Sequence, residues 1–218
     1  MSNLITNKLK KYKKFDQDKK EISEKDSKNP ITSYGISKLM TEKYIQYLVK
    51  NRLTKVHYII LRYFNVAGAD LFLRSGLIDK KSTHLIKVAC EVATNKRKFL
   101  IVNGKNFKTK DRTAIRDFIH VSDLAEIHIL SAIYLFKKKK SQIINCGYGK
   151  GYSVLQIVET FNKIIKRKIK YKFGPRRKGD AEKVISNCKK LKKILKWKPK
   201  YNDIKLILKS AYKWEKKI

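Results

Sequence analysis

From Pro30 onward the apolar positions of this chain fall into alternating periods. Ile36, Leu39, Met40, Tyr44, Tyr47 and Leu48 recur every three or four residues, which predicts a helix capped by Ser33 and ending near Asn51. VHYIILRYFN at 56–65 is a mostly apolar, β-branched and aromatic run of strand length, expected to be a strand buried on both faces of a parallel sheet. A loop at 66–82 leads to a helix over 84–95, a short strand at 99–102, and a helix over 122–136 with Ser122 as its cap and Asp123 in its first turn. QIINCG at 142–147 predicts a strand ending at glycine, and SVLQIVETFNKII at 153–165 a helix capped by Ser153. IKYKF at 169–173 alternates as an edge strand, and 187–196 and 203–214 read as two closing helices. Strands separated by helices of this length predict an α/β fold with parallel pairing. Residues 1–29 are polar and without period, and read as an exposed or disordered lead-in.

With 218 residues and 42% hydrophobic content the chain can bury a real core, which excludes collagen-like, tail-like and mini-protein classes. Its 54 Lys+Arg against 18 Asp+Glu give a net charge of +36, which invites a polyanion partner. Only nine of those cations are Arg, however, and the Lys recur along the whole chain. Phosphate and base readout favours Arg forks and aromatic side chains on one stripe, so the excess reads as compositional drift with weak, salt-sensitive adhesion to polyanions, and no specific nucleic-acid site is expected. Cys90, Cys146 and Cys188 are too far apart for a CxxC motif and read as small core residues, which makes a reducing cytoplasm the expected compartment. The first residues hold no apolar signal core and no apolar run reaches membrane-spanning length, so no membrane is expected. His120 and His128 fit packed positions better than ligand roles, and no metal is expected.

A dinucleotide-binding fold opens with a strand, a glycine-rich turn and a helix, and no GxGxxG or GxxGxxG occurs in this chain. The nearest cluster, GYGKG at 147–151, lies late and reads as a strand-to-helix turn. Tyr34 and Lys38 form a YxxxK pair on one face of the first predicted helix, where an ammonium stabilises a phenolate and makes it a usable general base. The spacing alone is uninformative, since 134/138, 201/205 and 212/216 repeat it.

Seven blocks supply the context. NPITSYGISKLMTEKYI (29–45), LRYFNVAGAD (61–70), THLI (83–86), DRTAIRDFIHVSDLAEIHI (111–129), INCGYGKGYSV (144–154), GPRRKGD (174–180) and LKKILKWKPKY (191–201), in this order, resemble the extended short-chain dehydrogenase/reductase family, and within it the UDP-glucose 4-epimerases. The resemblance implies the C-terminal part of a Rossmann-like α/β fold: a parallel sheet remnant plus a small α/β substrate-binding domain. Residues 30–66 and 117–147 would belong to the Rossmann-like part, and the rest of 67–218 to the UDP-sugar-binding region.

Carried over by the same resemblance, Tyr34 is the catalytic base, and Lys38 tunes it and contacts the nicotinamide ribose of NAD. Tyr63 and Phe64 line the nicotinamide site. Asn65 contacts the phosphate region of the sugar nucleotide, His84 and Leu85 meet the nucleotide, and Ile101 and Asn103 pair with uracil through the main chain. Arg116 and Arg177 hold the diphosphate, and Asp180 the uridine ribose. The implied reaction removes the proton of the sugar 4-hydroxyl to Tyr34 while the C4 hydride passes to NAD, then returns the hydride to the other face of the rotated 4-ketosugar. A homodimer is the family's usual assembly.

The departures are as informative. The family would place roughly a hundred residues before position 22, with the glycine fingerprint and the Ser/Thr of the catalytic trio, so the chain is expected to be truncated and impaired on its own. Thr6 lies at the wrong spacing for that Ser/Thr, Asn103 stands where an aromatic is common, and Val184 stands where some members carry a Tyr that limits sugar size. A nucleotide-sugar 4,6-dehydratase and a non-catalytic basic polyanion binder remain as alternatives.

Overall fold

The computed structural model describes residues 21–79 and 81–218. In chain order the elements are α1 (Ser33–Lys50), β1 (Ile59–Tyr63), β2 (Asn65–Ala67), α2 (Leu85–Ala93), β3 (Leu100–Asn103), β4 (Ile115–His120), α3 (Val121–Lys138), β5 (Gln142–Cys146), β6 (Gly151–Ser153), α4 (Val154–Ile165), β7 (Tyr171–Gly174), β8 (Lys183–Val184), α5 (Lys189–Leu195) and α6 (Ile204–Lys217). β1 pairs with β5, β2 with β4, β3 with β7 and β8 with β4, all parallel, while β6 runs antiparallel to β4. The fold is therefore α/β with mainly parallel pairing, as the alternating periods predict.

Local sequence explains several boundaries. Ser153 caps α4 in a full capping box, its side chain accepting from the Gln156 N–H while Gln156 reaches back to the Ser153 N–H. The cap of α1 is Thr32, not the expected Ser33, and that of α3 is His120, not Ser122: each true cap stands in an extended conformation just outside the helix, with its side chain accepting from the backbone two or three residues on. α2, α4 and α6 pack on one another, with Phe161 edge-on to Tyr212 at 5.5 Å, and the core continues through Ile119, Ile144, Leu191 and Leu208.

Three expectations need correction. The run at 56–65 is a strand only over 59–63 and is half-buried, because β5 is its sole strand neighbour among the described residues and α1 buries none of its own residues. The loop expected at 66–82 begins with β2, and β4, β6 and β8 went unforeseen. The part of the lead-in that is described is tied down: Ile22 N–H donates to Ile185 O at 2.8 Å, Asn187 N–H to Ile22 O at 2.8 Å, and Asn145 N–H to the Glu24 carboxylate at 2.9 Å. Residues 1–20, including Thr6, lie outside the described residues.

The buried charges are fully partnered. Asp117 accepts from the N–H groups of Tyr148 (3.0 Å), Gly149 (2.9 Å) and Ser186 (3.1 Å) and from the Ser186 hydroxyl (2.6 Å). This use of the GYGKG turn needs glycine at 147, where a Cβ would meet Asp117 Oδ2 at 2.5 Å, and at 149, whose φ is +73°. Asp123 accepts from the Tyr148 hydroxyl at 2.5 Å and the Tyr201 N–H at 3.0 Å, and Glu215 holds Lys87 at 2.6 Å and Lys96 at 3.1 Å. All three cysteines are buried and unpaired, and burial pushes the Cys146 thiol up to about 12, which makes it an inert core residue as expected.

His120 is buried, and its tautomer follows from its partners. Nδ1 accepts from the Ser122 N–H at 3.1 Å, so the ring proton sits on Nε2, which faces the Ser210 hydroxyl at 3.1 Å. Burial lowers its pKa from 6.5, against the opposing pull of Asp123 and Asp70. A base with a depressed folded-state pKa adds stability that is present above its unfolded value and lost as pH falls through it. Thermal midpoints should therefore drop as pH falls below about 6.5. In His120→Asn, which keeps a capping oxygen, the same decline should be shallower; parallel declines would remove His120 from the cause.

Candidate functional site

One cavity of about 820 Å³ opens between β2, β3, β4, the start of α2 and the loop after β7. Its lining includes Asn65, His84, Leu85, Ile101, Asn103, Arg116, Arg177 and Asp180, the full set of expected substrate contacts. Each comes from a different structural cause. Asn65 opens β2 just after β1 has left its pairing with β5, and His84 stands at the extended N-cap position of α2. Ile101 and Asn103 lie on β3, whose pairing to β7 brings Asn103 opposite Gly174, where the Arg176–Arg177 segment begins. Arg116 lies on β4 one residue from Asp117; successive strand residues point to opposite faces, so the carboxylate enters the protein while the guanidinium turns to the cavity.

The charges in this cavity are unbalanced. Arg116 is largely buried and bridges to Asp180, with a further bond of 2.7 Å to the Ile115 carbonyl. Burial draws its pKa down, Asp180 holds it up, and the neighbouring Arg176 and Arg177 push it down again. Lys96 is paired with Glu215 and Arg97 with Glu91 at 2.8 Å, whereas Lys98 and Arg177 face the cavity with no ion pair among the described residues. One lining carboxylate thus stands among five lining cations. Such a cavity favours a ligand with two or more negative charges, and Arg forks suit phosphate oxygens in particular.

Sequence reasoning missed some of the machinery. Arg176 stacks its guanidinium 4.0 Å from the Phe107 ring and donates to the Asp180 carbonyl at 2.9 Å, which fixes the loop carrying Arg177 and Asp180. Adjacent arginines in RRK signal only a charge run, so nothing local separates the anchoring Arg176 from the cavity-facing Arg177. Lys98, Phe99 and Val154 also line the cavity. Val184 instead pairs with Arg116 in the β8–β4 register and is not part of the lining.

The expected catalytic and cofactor residues lie elsewhere. Tyr34 is 72% exposed on α1, with the Lys38 ammonium 5.3 Å from its ring centroid. Tyr63 ends β1 half exposed, and its hydroxyl lies 2.7 Å from His128 Nε2. Because His128 Nδ1 meets the Leu124 carbonyl at 2.8 Å, that nitrogen carries the proton and Tyr63 is the donor to Nε2. Phe64 follows between β1 and β2. None of Tyr34, Lys38, Tyr63 and Phe64 lines the 820 Å³ cavity. His120 and His128 are engaged in hydrogen bonds within the protein, and among the described residues no cluster of His, Cys, Asp and Glu could hold a metal.

The NAD dependent epimerase/dehydratase family model matches residues 11–147. The chain is 40% identical over 189 residues to the UDP-glucose 4-epimerase of Azospirillum brasilense, covering 87% of this chain and 54% of that protein. Among solved structures it resembles the UDP-glucose 4-epimerase of Stenotrophomonas maltophila, crystallised with NAD and formylated UDP-arabinopyranose (TM-score 0.86, 29% identity, 92% of this chain and 59% of that one). It likewise resembles the Bifidobacterium longum enzyme in complex with NAD+ and UDP (TM-score 0.84, 31% identity, 92% and 59%). The chain spans little more than half the length of these relatives.

If the Arg116 and Arg177 forks hold a diphosphate, Arg116→Ala should weaken binding of a nucleoside diphosphate by about ten- to a hundredfold, as read by calorimetry. Lys189→Ala, on the exposed start of α5, should leave it unchanged. Equal effects of the two substitutions would assign the binding to diffuse charge.

Proposed function

The chain belongs to the NAD dependent epimerase/dehydratase family, and we propose that these residues form the UDP-sugar-binding and proton-transfer part of a UDP-glucose 4-epimerase. The observation that carries the reading is the convergence of Asn65, His84, Leu85, Ile101, Asn103, Arg116, Arg177 and Asp180 on one cation-rich cavity. The relatives favour neither a dehydratase nor a non-catalytic polyanion binder.

In this reading the two Arg forks neutralise the diphosphate, β3 offers backbone groups to the uracil, and Asp180 exchanges its bridge to Arg116 for a ribose hydroxyl. The sugar then projects toward Asn65 and the end of β1, where Tyr63 is held by His128. Tyr34 takes the proton of the sugar hydroxyl, and the Lys38 ammonium on the same helix face stabilises the phenolate. The interconversion of UDP-glucose and UDP-galactose, and with it galactose metabolism, follows from this reading, as do the cytoplasm and a homodimer. The division into a Rossmann-like part (30–66, 117–147) and a substrate part draws support from the β1–β5 pairing.

NAD, when bound, is the hydride acceptor of this chemistry. The residues fit it at one end only. Tyr34, Lys38, Tyr63 and Phe64 suit the nicotinamide and its ribose, but the sequence holds no GxGxxG or GxxGxxG, and its one glycine-rich turn, GYGKG, is not free to take the pyrophosphate. The N–H groups of Tyr148 and Gly149 in the GYGKG turn are committed to Asp117.

Calorimetry on the purified chain tests the reading. UDP and UDP-glucose should bind one per chain and compete, ADP should bind at least about tenfold more weakly, and Tyr34→Phe should leave UDP affinity unchanged. Failure of the folded chain to bind UDP, or equal affinity for ADP, would refute it.

A further inference from the structure

The loop between β2 and α2 is apolar where surface loops are usually polar. In its stretch DLFLRSGLI (70–78), Phe72 is 80% exposed and Ile78 67%, and Leu71 and Leu77 are exposed as well. These side chains are held in place by their own loop. The Leu73 N–H donates to the Asp70 carbonyl at 2.9 Å, which makes Leu71 and Phe72 the two central residues of a closed turn. The Asp70 N–H donates to the Ser75 carbonyl at 3.1 Å, and the Arg74 guanidinium donates to both Asp70 carboxylate oxygens at 2.8 Å.

The C-terminal end of α6 supports this loop. Trp214 Nε1 donates to the Leu77 carbonyl at 3.2 Å and Lys217 Nζ to the Leu73 carbonyl at 2.7 Å. Residues three apart on a helix share a face, so both flanks of the loop rest on the last turn of α6. Gly76 lies against the indole, where a Cβ would come within 2.6 Å of the Trp214 ring. The same helix end is strongly basic. Lys213, Lys216 and Lys217 are exposed and have no ion pair among the described residues, while Glu215, the one carboxylate within α6, is buried against Lys87 and Lys96. Asp70 is neutralised by Arg74, and Asp79 accepts the Lys81 N–H at 2.9 Å. An exposed apolar loop thus stands on a basic helix end whose charge is not balanced.

The chemistry of this surface separates what could cover it. A second copy of the chain would set a net charge of +36 against another +36. Single-stranded nucleic acid could stack a base on Phe72, but it offers nothing to Leu71, Leu77 and Ile78. An anionic lipid surface satisfies both features at once, taking apolar side chains into its headgroup boundary and ammonium groups at its phosphates. We propose that the 71–78 loop, seated on the lysine-bearing end of α6, docks this protein on an anionic bilayer, with Phe72 and Ile78 entering the headgroup region. The attachment is peripheral, since no helix among the described residues is long and apolar enough to cross a membrane. A lysine excess spread along the chain would make every face equally adhesive, whereas the apolar loop singles out one. None of these residues lines the 820 Å³ cavity, so docking and nucleotide binding use different surfaces.

The test is co-sedimentation of the full chain with vesicles of phosphatidylcholine alone or with about one-third phosphatidylglycerol, at about 0.15 M salt. The anionic vesicles should bind it at least about tenfold more tightly than the neutral ones. Trp214 emission should be quenched by brominated lipid, while Trp197, buried in the core, stays silent. Phe72→Ser combined with Ile78→Ser should weaken vesicle binding about tenfold or more at unchanged net charge and unchanged thermal midpoint. Val56→Ser, at another exposed apolar position, should have no effect. Lys213→Gln with Lys216→Gln should weaken binding about tenfold or more, and Lys139→Gln with Lys140→Gln, exposed at the end of α3, much less. Full binding by the Phe72/Ile78 variant, or equal losses from the two lysine pairs, would assign the adhesion to diffuse charge and overturn the proposal. So would failure to bind anionic vesicles, or a lipid-free dimer of the chain that the Phe72/Ile78 variant abolishes. UDP affinity should be the same in every variant, which keeps this result separate from the preceding one.

Discussion

The site depends on one buried carboxylate. Asp117 takes four hydrogen bonds from two segments that are far apart in sequence, the 147–149 turn and the 186 region. A buried charge is tolerable only when so well satisfied, and loss of that satisfaction costs several kcal/mol, so the arrangement is close to obligatory. It fixes β4 against the start of β6 on one side and β8 on the other. Since β8 follows directly on the loop bearing Arg177 and Asp180, the same anchor determines where those residues meet Arg116.

The neighbouring residue on the strand shows the division of labour. Asp117 faces inward and is wholly occupied by structure; Arg116 faces the cavity and is held by a single exchangeable carboxylate. The net charge of +36 takes a smaller place beside this local surplus. Lysines along α5 and the chain's other exposed faces are screened by salt and point everywhere, whereas a partly buried guanidinium between two further arginines acts at short range in a weakly screened site.

What could be read from the sequence divides along the range of the interactions. Ser153 as the cap of α4 was legible because its partners lie within four residues, although the reciprocal bond from Gln156 was not foreseen, and the helix of Tyr34 and Lys38 was legible because its period is strong. β4 was not, since IRDFIH places charges at two successive positions that become sensible only through residues 69 and 64 positions away. Nor could periodicity show that the apolar stripe of α1 would be exposed, because amphipathic patterning records that a face will be covered and not by what. The eight cavity residues came from resemblance to a family and not from pattern, as no local rule links Asn65 to Asp180. Tyr34 and Lys38 were found by the same route, and the described residues leave them on an open surface.

The central claim is that Arg116, Arg177 and β3 form a preorganised nucleotide site within these residues alone. A crystal structure of the chain with UDP tests it most directly. The account predicts the diphosphate within hydrogen-bond distance of both guanidinium groups, Asp180 released from Arg116 onto the ribose, and the base against the backbone of residues 101–103. UDP seated instead at the exposed face of α1, or on the lysines of α5 with the Arg116–Asp180 bridge intact, would contradict it.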